Sequence, residues 1–87
     1  MNSKDLFDEF RKKEYLYDVL IETHYSFMPF IKIIFCESAC CDHQTYIEVQ
    51  ADDRVSFHGF GCDVENLELL TRAINMLVVE TWGKKYK

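Results

Sequence analysis

Six side chains with metal-binding or thiol chemistry lie in the middle of the chain. They are Cys36, Cys40, Cys41, His43, His58 and Cys62. Four such ligands can hold zinc in a tetrahedral site, and the spacing from Cys36 to Cys40 is one that zinc sites use. A matching second pair is missing, because Cys62 has no partner cysteine near it. We therefore predict no metal and no cofactor, and keep a zinc-dependent or thiol-dependent protein as an alternative.

Cys62 is the cysteine best placed for nucleophilic chemistry. It directly precedes a predicted long helix, whose dipole favours the thiolate. Asp63 beside it has the opposite effect, because a neighbouring carboxylate disfavours a second negative charge. His58 could act as a base, but no third residue that would orient it is evident. We therefore predict no catalytic residue and no enzyme, and we expect Cys36 to be a small buried residue.

Carboxylates dominate the same stretch of sequence. From Glu14 to Glu68 there are eleven acidic residues and two basic ones, Lys32 and Arg54, which give a net charge of −9. This charge repels nucleic acid and favours rapid association with a basic protein surface. A solvated face that only keeps the protein soluble is the simpler explanation, and it stays open.

Seven of these carboxylates form the candidate partner-binding set. They are Asp18, Glu22, Glu37, Asp42, Glu48, Asp52 and Asp53. Many of them are concentrated around two predicted hairpins rather than along a helix, so that they could converge on one end of a sheet.

Length and composition limit the fold and the location. The chain has 87 residues, which predicts a single α+β domain over residues 1–87. A hydrophobic content of 48% with 15% aromatic residues argues against disorder. There is no apolar signal segment at the start and no apolar run of membrane-spanning length. We therefore expect a cytoplasmic protein that does not bind membranes and whose four cysteines are reduced.

Two segments have helical signals. Residues 3–14 can be capped by Asn2 or Ser3, and an apolar face is formed by Leu6, Phe7 and Phe10. Residues 64–82 lie between a suitable N-cap, Asp63, and a suitable C-cap, Gly83. The apolar stripe of this helix is formed by Leu67, Leu70, Ile74 and Leu77 and is widened by Ala73, Val78 and Trp82. The helix dipole accounts for the basic residues that follow, Lys84, Lys85 and Lys87.

Four strands are predicted between the helices. Their ranges are 17–24, 30–35, 45–50 and 55–58, with turn residues at 51–54 between the last two. The second should be a central strand buried on much of both faces. The third alternates, with Ile47 and Val49 on one face and Glu48 and Gln50 on the other. This order predicts an α+β fold with a three- to four-stranded antiparallel sheet between a short N-terminal helix and a long C-terminal helix.

The opening Met1-Asn2-x-x-Asp5-Leu6 with Lys13-x-Tyr15, followed by an acidic sheet and a C-terminal helix, resembles small phage-encoded anti-CRISPR proteins that inhibit type II effectors. The resemblance implies an α+β fold that occupies the PAM-binding cleft of the nuclease as a DNA mimic. The resemblance implies that Glu48, Asp52 and Asp53 are the carboxylates most like those with which such an inhibitor contacts the nuclease.

The sequence therefore predicts a small acidic inhibitor encoded by a phage or a mobile element. It would bind stoichiometrically, as a nucleic-acid mimic, to the basic groove of a larger protein such as a CRISPR nuclease. Direct binding to nucleic acid is not expected. The alternatives are the zinc-dependent or thiol-dependent protein and a structural homodimer, built on the long helix or a sheet edge, without a catalytic role.

Overall fold

Two helices and four strands form in the predicted order. The computed structural model describes residues 2–52 and 54–83. The elements are α1 (Ser3–Lys13), β1 (Asp18–His24), β2 (Phe30–Cys36), β3 (Tyr46–Gln50), β4 (Val55–His58) and α2 (Val64–Trp82). All four strands belong to one antiparallel sheet in the order β1-β2-β3-β4. The predicted α+β layout is thus confirmed.

The chain divides into two compact units. The helical unit comprises residues 1–15 and 62–87, and the sheet unit comprises residues 16–61. The helical unit is therefore built from both ends of the chain, whereas the sheet unit is one continuous segment.

Helix α1 begins at a capping box. The side chain of Asn2 accepts a hydrogen bond from the Asp5 amide at 3.1 Å, and the Asp5 carboxylate accepts one from the Asn2 amide at 3.3 Å. These two bonds satisfy amide groups that a helix N-terminus would otherwise leave unpaired. Leu6, Phe7 and Phe10 are all buried, as their spacing predicts.

Helix α2 has the predicted bounds, and Gly83 ends it in the left-handed conformation with φ +68°. Asp63 occupies the N-cap position, but its side chain makes no capping hydrogen bond. The predicted stripe is only partly correct, because Leu67 is 43% exposed. Ala73 and Val78 are buried as predicted, and the buried face also includes Asn66 and Leu69. The predicted basic residues Lys84, Lys85 and Lys87 lie outside the described residues.

Polar contacts join the two helices at both ends of α1. The buried Ser3 donates its amide to the Glu80 carboxylate at 3.0 Å and its hydroxyl to the other oxygen of that group. At the other end, the side-chain amide of the buried Asn66 donates to the Glu14 carboxylate. The start of α1 therefore lies beside the end of α2, which fixes an antiparallel helix pair.

Replacing Glu80 with alanine should lower the free energy of unfolding by about 1 kcal/mol, because the Ser3 hydroxyl and amide would lose their acceptor. Urea denaturation measures the change. Glu68→Ala removes the same group from an exposed position on the same helix and should have little effect. Equal losses in the two variants would show that the contact with Ser3 does not stabilise the helix pair.

The strand register separates an apolar face of the sheet from a polar one. Residues directly opposite each other on neighbouring strands lie on the same face. The apolar face is formed by Val19, Ile21, Thr23, Ile31, Ile33, Phe35, Ile47, Val49, Val55 and Phe57. The polar face includes Asp18, Leu20, Glu22, His24, Phe30, Lys32, Ile34, Cys36, Tyr46, Glu48, Gln50, Ser56 and His58.

The burial of the inner strands agrees with the sequence patterns. Ile33 and Ile34 are both fully buried although they lie on opposite faces, so β2 is buried on both sides as predicted. In β3, Ile47 and Val49 are fully buried and Glu48 is half-buried, which confirms the predicted alternation.

Candidate protein-binding surface

Lys32 lies in the middle of the polar face between two glutamates. It is directly opposite Glu22 on β1 and directly opposite Glu48 on β3, so the three residues form one row across the sheet. Its ammonium nitrogen lies 4.3 Å from the centroid of the Tyr46 ring, within cation–π range. Opposite charges on neighbouring strands attract each other. Each central glutamate thus has a lysine directly opposite it on β2.

Each of these glutamates also has a histidine on the same face. His24 Nε2 lies 3.2 Å from Glu22 Oε1. His58 Nε2 lies 3.9 Å from Glu48 Oε2, and the His58 ring stacks on Tyr46 with 4.4 Å between centroids. Glu22 therefore has a hydrogen-bond partner and Glu48 has an imidazole nearby, which makes both less available to a basic partner than an isolated carboxylate.

Asp52 has a cationic partner as well. It lies in the turn between β3 and β4, and its carboxylate is 3.1 Å from Arg54 Nε. The second oxygen accepts a hydrogen bond from the Arg54 amide at 3.3 Å. Asp53, the next member of the predicted set, lies outside the described residues.

Three carboxylates of the predicted set have no cationic partner among residues 2–52 and 54–83. Asp18 begins β1 opposite Cys36, the last residue of β2. Glu37 follows Cys36 directly, and Asp42 lies further along the same loop between β2 and β3. Glu37 and Asp42 are exposed, and Asp18 is half-buried. We call Asp18, Glu37 and Asp42 the acidic end of the sheet.

The predicted carboxylates do not converge on one end of the sheet. Consecutive strands of the sheet pair antiparallel, so successive connections alternate between its two ends. The loop with Glu37 and Asp42 is therefore at the end opposite to the turn with Asp52. The expectation of a single acidic end formed by both hairpins is wrong, and the predicted set divides into three groups.

An exposed apolar loop beside Asp52 has no counterpart in the sequence-based predictions. Between β1 and β2, Tyr25 is 79% exposed, Phe27 is 100% exposed and Met28 is 65% exposed. A groove of about 200 Å³ is lined by Phe27, Met28, Pro29, Gln50, Ala51 and Asp52. Contiguous exposed apolar side chains mark binding surfaces. In the sequence, the exposed loop could have been recognised from the Tyr-Ser-Phe-Met segment that follows the first strand.

Cys36 and Cys41 form a disulfide, with an S–S distance of 2.29 Å and a Cα–Cα distance of 5.1 Å. The expectation that all four cysteines are reduced is therefore wrong for this pair. The loop that follows β2 turns back within five residues and brings Cys41 to the end of the strand. Cys36 is buried, as predicted, while Cys40 is a free exposed thiol and Cys62 a free, half-buried one.

The predicted alternative of a zinc site has little support in the geometry. Two of its six candidate ligands are bonded to each other, and His58 contacts Glu48 and Tyr46. Within the described part of the chain, no group of three His, Cys, Asp or Glu side chains is arranged to hold a metal ion.

Cys62 is in an environment that disfavours the thiolate. Burial raises the pKa of its thiol, and the carboxylates of Glu14 and Asp63 raise that pKa further. The effect of Asp63 was predicted from its position in the sequence, whereas Glu14 is distant along the chain. Since the thiolate is the reactive form, Cys62 is a poor nucleophile at neutral pH.

Comparison with protein-family models, curated proteins and solved structures found no match to this chain. No helix in the described part of the chain is both long and apolar enough to cross a membrane.

Proposed function

We propose that this protein is a small non-catalytic inhibitor that binds stoichiometrically to a basic groove of a larger protein. In this role the acidic end would occupy a site that normally holds nucleic acid, as in a CRISPR nuclease. The protein would act in the cytoplasm, would be encoded by a phage or mobile element, and would bind neither nucleic acid nor membranes directly. Homodimer formation is a separate proposal that rests on strand β1.

The distribution of charge supports this proposal. The sheet unit contains seven acidic and two basic residues, which give −5, the net charge of the whole chain. The helical unit contains eight residues of each sign and is neutral. Both basic residues of the sheet unit, Lys32 and Arg54, lie beside its own carboxylates. Asp18, Glu37 and Asp42 thus account for three of the five uncompensated charges of the sheet unit.

Such an arrangement is suited to a basic partner. Exposed carboxylates without local partners attract cationic side chains over a distance of about one Debye length, roughly 8 Å at physiological salt. They also accelerate association with a surface of opposite charge. The zinc-dependent or thiol-dependent alternative gains no comparable support, because of the Cys36–Cys41 bond and the raised pKa of Cys62.

A direct test measures binding to a guide-loaded type II CRISPR nuclease at low and at high salt. Asp42→Lys should weaken binding about tenfold, since it turns one attraction into a repulsion. Target DNA should compete with the protein for the nuclease, and high salt should weaken the complex.

Asp52→Lys is the matched control. Asp42 accepts a hydrogen bond from the Gln44 amide at 3.1 Å, just as Asp52 accepts one from the Arg54 amide. Both substitutions change the net charge equally and remove the same type of turn hydrogen bond, but at opposite ends of the sheet. Equal affinities for the two variants would overturn the role of the acidic end. The proposed mimicry of nucleic acid would be overturned if the protein did not bind the nuclease at low salt, or if target DNA did not compete with it.

A further inference from the structure

Strand β1 is an open edge of the sheet. It has seven residues, and among the described residues it pairs only with β2. Its register with β2 is unbroken, and it contains neither proline nor lysine. Proteins usually blunt such edges with short strands, prolines, lysines or bulges, because an open edge can pair with another chain. The opposite edge, β4, is blunted by having only four residues.

The sequence of β1 is complementary to itself about Ile21. If two copies pair antiparallel with their Ile21 residues opposite each other, Asp18 of one copy is opposite His24 of the other, and the reverse pair forms by symmetry. Ile21, which is 38% exposed, then meets its own copy on the apolar face. Val19 is opposite Thr23 on the same face.

Neighbouring registers are unfavourable. Two-fold symmetry requires that one residue faces its own copy, so the nearest alternatives are centred on Leu20 and on Glu22. Centring on Leu20 places Asp18 opposite Glu22 of the second copy. Centring on Glu22 places the two Glu22 side chains opposite each other. Like charges that face each other across strands are destabilising, so the register centred on Ile21 is the favoured one of the three.

We propose that β1 pairs antiparallel with β1 of a second copy of this chain, about a two-fold axis at Ile21. The two sheets then form one continuous eight-stranded sheet. Each copy contributes Asp18 and His24 to two symmetrical pairs at the ends of the new strand pair, in which the imidazole can donate a hydrogen bond to the carboxylate. This inference does not rest on the proposed function: the two share only Asp18, and the binding test above changes Asp42, which lies outside β1.

The side chains in these pairs are accessible in the single chain. His24 is exposed, stacks on Phe30 with 4.4 Å between ring centroids, and lies 3.2 Å from Glu22. One carboxylate oxygen of Asp18 accepts a hydrogen bond from the Val19 amide at 2.8 Å, and this bond opens when Val19 pairs with Thr23 of the second copy. The other oxygen has no partner among the described residues, so it can accept a hydrogen bond from the His24 ring of the second copy.

Sedimentation equilibrium of the full chain over a wide concentration range tests the proposal, and a reversible dimer is expected. His24→Glu places a carboxylate opposite Asp18 twice in each dimer and should weaken dimerisation about 10- to 100-fold. Combining His24→Glu with Asp18→Lys restores opposite charges at both positions, and should recover the dimer. Circular dichroism confirms that each variant is folded.

His43→Glu is the control, since it makes the same change in the exposed loop between β2 and β3 and should leave the dimer intact. Three results would overturn the proposal. The first is a monomer at the highest soluble concentration. The second is a dimer whose affinity His24→Glu leaves unchanged. The third is a double variant that dimerises no more tightly than His24→Glu alone.

Discussion

Replacing Phe10 with alanine is expected to lower the free energy of unfolding by about 3–5 kcal/mol. The Phe10 side chain is completely buried on α1 in the helical unit. Its removal takes away buried apolar contacts that no other group replaces. It also leaves a cavity that the surrounding side chains fill only in part. Small domains have a total stability of about 5–15 kcal/mol, so the variant should be close to unfolding. Urea denaturation followed by far-ultraviolet circular dichroism measures the loss.

The matched control for this prediction is Phe27→Ala. It deletes the same side chain from the loop between β1 and β2, where Phe27 is fully exposed. Surface substitutions usually change stability by within about 0.5 kcal/mol. A loss of similar size in both variants would contradict the burial of Phe10. An intact fold in Phe27→Ala would also make that variant useful for testing whether the exposed apolar loop takes part in binding.

Opening the Cys36–Cys41 disulfide is expected to cost about 2 kcal/mol. The bond closes a short loop, with a sequence separation of five, so it restricts the unfolded chain less than a long cross-link would. Urea denaturation with and without a phosphine reductant measures the difference. Thiol titration of the denatured protein should find the Cys40 and Cys62 thiols before reduction and all four after it.

The controls for this prediction separate the bond from the thiols. A variant with Cys40→Ser and Cys62→Ser should keep its full response to reductant, while one with Cys36→Ser and Cys41→Ser should have none. Four titratable thiols in protein denatured without reductant would contradict the disulfide. Two thiols before reduction would also count against the proposed cytoplasmic location, because cytoplasmic proteins rarely keep stable disulfides.

Local patterns were sufficient to predict the elements of this fold. The bounds of α2 followed from a cap residue at each end, Asp63 and Gly83, and from the helical spacing between them. In β3, the alternation of Ile47 and Val49 with polar residues identified both the strand and its buried face. These signals depend on neighbours in sequence, so one chain contains all the information they need.

The candidate site depended on pairings that the sequence patterns did not specify. The row formed by Glu22, Lys32 and Glu48 follows from the register of three strands, and without that register the two glutamates looked as available as any others. The Cys36–Cys41 bond was missed because the expected compartment implied reduced thiols. The separation of Asp42 from Asp52 could have been predicted, since consecutive hairpins of an antiparallel meander point in opposite directions.

The division of the helical unit between the two ends of the chain determines the order in which contacts become possible during synthesis. Each strand of the sheet pairs with the strand made just before it, so residues 16–61 can form hairpins while translation continues. Helix α1 leaves the ribosome before the sheet, whereas its packing partner α2 leaves after the sheet. The apolar face of α1, with Leu6 and Phe10, therefore stays without α2 until all four strands have been made. A nascent chain stalled before α2 would display this face to chaperones and proteases, although it could already contain a paired sheet.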